Sequence, residues 1–185
     1  MKNLITALAT LVLTMAAQAQ LSQIGAVTSG GSGCLNSNIK VSVNSGGVTI
    51  VYPQFQLQAD GSRTLVRSTC AVAVPVNVPD GFQLLASAVS SGLSRLQVKD
   101  RVALSQELFL AGLRGVPQAA ILTETNRLFT LGKLNSANTL VKSACGQDTI
   151  LRLNLSATAQ LAAPATSSKL AINKSQITLR LVPCH

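Results

Sequence analysis

Apolar residues at every second position restrict this chain more than any other feature. In Thr149 to Ala157, the residues Thr149, Leu151, Leu153, Leu155 and Ala157 alternate with Ile150, Arg152, Asn154 and Ser156. Strand side chains point to opposite faces with period two, so such a segment buries one face only when it is extended. The pattern recurs along the chain. Asn38 to Asn44 carries Ile39, Val41 and Val43 on one face and Lys40 and Ser42 on the other. Ser45-Gly46-Gly47 turns the chain, and Val48 to Phe55 returns with Val48, Ile50 and Tyr52 together, which predicts a hairpin. Pro53 has no N–H to donate, so that strand lies at an edge or breaks there.

Asp60-Gly61 marks another turn, and Cys70 to Val78 then alternates through Val72, Val74 and Val76. Pro79-Asp80-Gly81 ends that strand and Phe82 to Val89 follows. Val102 to Leu110 places Val102, Leu104, Leu108 and Leu110 inward, with Gln106 interrupting the row. Arg127 to Leu131 reads as a strand, while a short helix over Ala119 to Leu128 stays open as an alternative. Ser175 to Val182 closes the series with Ile177, Leu179 and Leu181 on one face. Strands separated by Gly, Pro and Asp turns predict an all-β fold, an antiparallel β-sandwich or a partly closed barrel.

The N-terminus follows a different rule. Met1, Lys2 and Asn3 precede an apolar run from Leu4 to Ala17, which ends in Ala17-Gln18-Ala19. This is the layout of a compact, bacterial-type secretory signal, with cleavage after Ala19. The run is shorter than the ~20 residues a spanning helix needs, so the chain is read as not membrane-spanning. The expected organisation is a signal peptide over 1–19, a Gly- and Ser-rich flexible leader over 20–33, and one β domain over 34–185. That predicts a secreted, periplasmic or cell-surface protein.

Cys34, Cys70, Cys145 and Cys184 all follow the signal. An even count in an exported chain predicts two disulfides, and the absence of C-x-x-C argues against a zinc knuckle or a redox pair. Cys34 precedes the first hairpin and Cys70 opens the strand after it. Cys145 precedes the Thr149 strand and Cys184 follows the last. If neighbouring strands in each set are antiparallel, the favoured pairs are Cys34–Cys70 and Cys145–Cys184.

The pattern Gly31-Ser32-Gly33-Cys34, Arg67-Ser68-Thr69-Cys70, Pro79-Asp80-Gly81-Phe82-Gln83 and Ala144-Cys145-Gly146, with Leu151-Arg152-Leu153-Asn154-Leu155 and a terminal Cys184, resembles the family called domain of unknown function 4360. Leu35 stands where that family often has proline, and Glu107-Leu108-Phe109 where it usually has more aromatics. The resemblance implies a secreted β-rich protein and no particular activity.

Chemistry-bearing residues are sparse. His185 is the single histidine and the last residue, read as solvated, so neither a Ser-His-Asp triad nor a histidine metal cluster is expected. Six acids remain for carboxylate chemistry: Asp60, Asp80, Asp100, Glu107, Glu124 and Asp148. Asp60 and Asp80 precede glycines and read as turn formers. No calcium loop is present, and neither cofactor nor metal is expected. There is no Trp, and Tyr52, Phe55, Phe82, Phe109 and Phe129 read as core.

The whole chain carries a net charge of +9, with no run of three basic residues. A dispersed excess favours loose attraction to an anionic surface or envelope polymer over a nucleic-acid site. Arg63, Arg67, Arg95, Lys99 and Arg101 form a candidate basic patch around two loops. The leading reading is a non-catalytic structural or surface-binding module. Two alternatives are a carboxylate-dependent hydrolase of an extracellular or cell-wall polymer, and an adhesive subunit assembled by strand donation. N-terminal sequencing of the exported protein is expected to begin at Gln20.

Overall fold

The computed structural model describes residues 24–34, 38–123, 126–133, 140–162 and 167–184. The signal segment with Ala19, Glu124 and His185 lie outside them. The described residues form β1 (Thr28–Gly30), β2 (Lys40–Asn44), β3 (Gly47–Val51), β4 (Gln56–Ala59), β5 (Leu65–Val76), β6 (Phe82–Arg95) and β7 (Arg101–Leu110). There follow β8 (Leu113–Arg114), β9 (Gln118–Leu122), β10 (Arg127–Leu131), β11 (Val141–Lys142), β12 (Thr149–Gln160) and β13 (Ser168–Pro183). No helix among them is long and apolar enough to cross a membrane.

Two antiparallel sheets make a sandwich. The first runs β1-β5-β12-β7-β8, with β9 also on β7. The second runs β10-β6-β13-β3-β2, with β11 also on β6 and β4 also on β13. The Ala119 segment is therefore a strand and not a helix: Ala119 lies opposite Ser105 and Ile121 opposite Ala103. Pro53 breaks its strand, since β3 ends at Val51 while lying between β13 and β2.

The inner faces follow the predicted alternation. Val72 and Val74 of β5, Leu151 and Leu153 of β12, and Val102 and Leu110 of β7 are fully buried. Ile50, Leu84, Leu170, Ile172 and Ile177 supply much of the opposing face. β13 starts seven residues before the predicted Ser175 because its alternation changes phase. Leu170 and Ile172 point inward at even positions, whereas Ser175, Ile177 and Leu179 do so at odd ones. A register shift between Ile172 and Lys174 accounts for the change. One extra residue in a strand moves all later side chains to the other face.

Gln106, which interrupts the β7 row, is buried and reaches across the sandwich. Its amide N donates to the Ala88 carbonyl at 2.9 Å, and its Oε1 accepts from the Ser90 hydroxyl at 2.5 Å. Ser90 meets the Ser175 hydroxyl at 2.6 Å, which accepts from Tyr52 OH at 3.1 Å. Burial pushes the Tyr52 phenol well above its usual range, so it stays a neutral donor. This buried polar chain ties β7 to β6, to β13 and to Tyr52 just past the end of β3, with its hydrogen bonds made.

The segment read as a flexible leader is docked from Ile24 onward. Ile24 bridges Val76, the Gly25 N–H donates to the Pro75 carbonyl at 2.9 Å, and β1 pairs with β5. Pro75 is tolerated inside β5 because the N–H it lacks would face this thin edge and not β12.

Both favoured disulfides are present, with Cα–Cα separations of 5.3 Å for Cys34–Cys70 and 6.0 Å for Cys145–Cys184. The route to each differs from the expectation. The β2–β3 hairpin belongs to the second sheet and Cys70 to the first, so the hairpin does not bring Cys34 to Cys70. The docked leader does, through a hydrogen bond from the Gly33 N–H to the Thr69 carbonyl. Likewise β12 and β13 lie in different sheets. Cys145 and Cys184 meet because their segments flank the start of β6: the Gly146 N–H donates to the Phe82 carbonyl and the Cys184 N–H to the Gly81 carbonyl. Replacing Cys145 and Cys184 together by alanine is expected to lower stability by roughly 3–4 kcal/mol, the loop-closure value for a bridge of this span, measured by urea denaturation.

Candidate functional site

The strand registers gather distant cations at one end of the sandwich. β5 starts there, with Arg67 opposite Thr158, and β12 ends there, with Gln160 opposite Arg101. In the second sheet β6 ends and β13 begins there, with Arg95 opposite Lys169. Arg63 lies in the β4–β5 turn and Lys99 in the β6–β7 turn at a left-handed φ of 72°. The five predicted basic residues thus share one end although they stem from both sheets. Sequence reasoning missed two more, Lys169 and Arg127, which enter by pairing with β6. All seven are exposed. The Arg101 guanidinium donates to Gln160 Oε1 at 2.8 Å across the β7–β12 pair.

Apolar side chains share this end. Among the described large hydrophobics, the four most exposed are Leu128 at 77%, Val98 at 76%, Ile121 at 68% and Leu65 at 66%. Val98 adjoins Lys99 and Leu128 adjoins Arg127, while Leu65 opens β5 and Ile121 lies near the end of β9. Alternation alone marked none of them, because their burial depends on which neighbours the turns and edges receive.

Two described acids lie at this end, and both have structural partners. Asp100 is fully buried; its Oδ2 accepts from the Ser168 hydroxyl at 2.6 Å and its Oδ1 from the Ala162 N–H at 2.8 Å. Ser168 Oγ in turn accepts from the Gln97 N–H at 3.0 Å, so Asp100 clasps the β6–β7 and β12–β13 connections together. Asp60 Oδ1 accepts from the Ser62 hydroxyl at 2.6 Å and the Ser62 N–H at 3.1 Å. Those bonds, with Arg63 nearby, hold its carboxyl below the usual range.

The remaining described acids do not converge. Glu107 pairs with Arg114 on the outer face of the first sheet. Asp148 Oδ1 accepts from the Val78 N–H at 3.0 Å, and Asp80 lies in the turn beside Gly146. Asp148 lines a cleft of about 520 Å³ with Phe109, Arg152 and Asn154, whereas Glu107 lines a neighbouring one of about 350 Å³ with Arg67 and Asn154. Neither holds two carboxylates. Phe109 is the aromatic that departs from its expected place: it is half-buried on the outer face. The alternation of β7 carries that signal, since Leu108 and Leu110 beside it point inward. Among the described residues no cluster of three His, Cys, Asp or Glu could hold a metal.

Comparison with known proteins adds a family. The model of a family described as Domain of unknown function (DUF4360) matches residues 20–182, in agreement with the cysteine and turn pattern. No curated protein matches by sequence. The solved structure of TmCBM61 in complex with beta-1,4-galactotriose is similar over 89% of this chain and 91% of that one, at 11% identity and a TM-score of 0.26.

Removing the Asp100 carboxylate tests the clasp. Asp100→Ala leaves the buried Ser168 hydroxyl and the Ala162 N–H without their acceptor, and an unmet buried group costs about 1–3 kcal/mol. Stability in urea is expected to fall by about 2 kcal/mol, and by less in Asp100→Asn, which retains one acceptor oxygen.

Proposed function

Starting from a chain that belongs to the family described as Domain of unknown function (DUF4360), we propose that it is a non-catalytic binding module that attaches to an anionic surface or polymer of the cell envelope through its cationic end. One observation carries this reading. Seven exposed cations from both sheets meet at one end, where the two described acids are committed to hydrogen bonds within the protein. A cluster of one sign attracts an oppositely charged surface over about a Debye length, ~10 Å at 0.1 M salt.

Two observations support the reading over its alternatives. A polymer hydrolase needs two carboxylates facing one bond. The described acids instead cap turns, bridge strands or pair with Arg114, with no two in one cleft. Strand donation needs a free arm, and residues 24–30 here pair with this chain's own β5. Two disulfides fit an oxidising compartment, where such an envelope would be met.

Binding to polygalacturonate and to uncharged dextran at about 0.1 M and about 1 M salt tests the proposal. The expected outcome is capture by the acidic polymer at low salt that collapses at high salt, with no capture by dextran. Reversing Arg95, Lys99 and Lys169 to glutamate is expected to abolish capture, while Arg180→Glu at the far end leaves it intact. Cleavage of either polymer that disappears on changing one polar residue would sink the non-catalytic reading.

A further inference from the structure

The cationic end carries a second property that charge attraction to a polymer does not need. Among the described residues the four most exposed large apolar side chains, Leu128, Val98, Ile121 and Leu65, all lie within a few residues of it. Val98 is at the β6–β7 turn itself. Leu65 is the first residue of β5, Leu128 the second of β10, and Ile121 the penultimate residue of β9. At ~3.3 Å per residue, these positions fall within ~10 Å of the strand ends. An apolar surface at a membrane interface sinks about 5–10 Å into the boundary between headgroups and acyl chains.

We propose that this end docks end-on to an anionic lipid surface, with Val98 and the girdle of Leu65, Ile121 and Leu128 entering the interface. The inference rests on the preceding reading of the chain as a binding module, and it names the partner. Lys99 beside Val98 and Arg127 beside Leu128 put a cation next to an inserted apolar residue, so that each ammonium or guanidinium stays at headgroup level. Arg63, Arg67, Arg95 and Lys169 ring the same end. Among the described residues Asp60 is the exposed acid of this end and stays ionised; its Ser62 bonds keep it against its own turn. A polysaccharide would engage these cations and gain little from four solvent-facing aliphatic side chains. A lipid interface uses both.

The chain contains no tryptophan, so one introduced residue reports its own surroundings. Val98→Trp is compared with Val43→Trp, which occupies an exposed position on β2, the far edge strand of the second sheet. Each is mixed with vesicles of phosphatidylglycerol or of phosphatidylcholine, with and without brominated acyl chains. In phosphatidylglycerol, the Trp at 98 is expected to shift to the blue and be quenched by bromine, while the Trp at 43 stays unquenched. Each cation removed by Arg95→Gln or Lys169→Gln is expected to weaken partitioning about fivefold. Leu128→Ser is expected to weaken it with the charge unchanged, and Leu128→Met to restore it. Polygalacturonate capture without vesicle binding, or vesicle binding with an unquenched Trp at 98, overturns the lipid inference and leaves the binding-module reading standing. Loss of both kinds of binding overturns both.

Discussion

A single extra residue in β13 holds the second sheet together as a two-faced layer. β13 is the longest strand and pairs with β6, β3 and β4. Without the register shift between Ile172 and Lys174, either Leu170 and Ile172 or Ile177 and Leu179 would face solvent. With it, both halves bury their apolar residues. The first half also takes β4 as a neighbour and sets Lys169 beside Arg95. The cationic end is thus a consequence of how the core is closed.

The covalent and polar cross-links work on the same architecture from different places. The Cys145–Cys184 bridge joins segments on both sides of the start of β6, at the end opposite the cations. The Gln106–Ser90–Ser175–Tyr52 chain crosses the middle of the sandwich. Asp100 clasps the connections at the cationic end. The turns that present the cations and the apolar tips therefore rise from a braced frame, which preserves their arrangement.

Acids and bases have opposite fates here. The described carboxylates other than the turn residue Asp80 are hydrogen-bonded or ion-paired within the protein, and Asp100 is buried outright. The cations of the end project into solvent. Hydrolysis by a carboxylate pair needs two acids facing one bond, whereas attachment to an anionic surface needs cations on a common front. The distribution favours the second, and the apolar side chains interleaved with the cations narrow the surface further.

In β5, β7 and β12 the buried face was legible from alternation alone, because period two is a local property of an extended backbone, whereas β2, which alternates as well, is exposed along its whole length. Alternation sorted Leu151 from Arg152 and singled out Gln106; Phe109, read as core, lies on the face opposite Leu108, a placement the same alternation signals. The cysteine pairs were legible as well, although the reasoning behind them assumed neighbours that are not neighbours. The assignment of strands to sheets, the β13 register shift, the docking of residues 24–33 and the placement of Lys169 beside Arg95 came only with tertiary structure. Each depends on pairing between segments far apart in the chain, which no local periodicity records, since the same alternating strand can serve in either sheet and beside several partners.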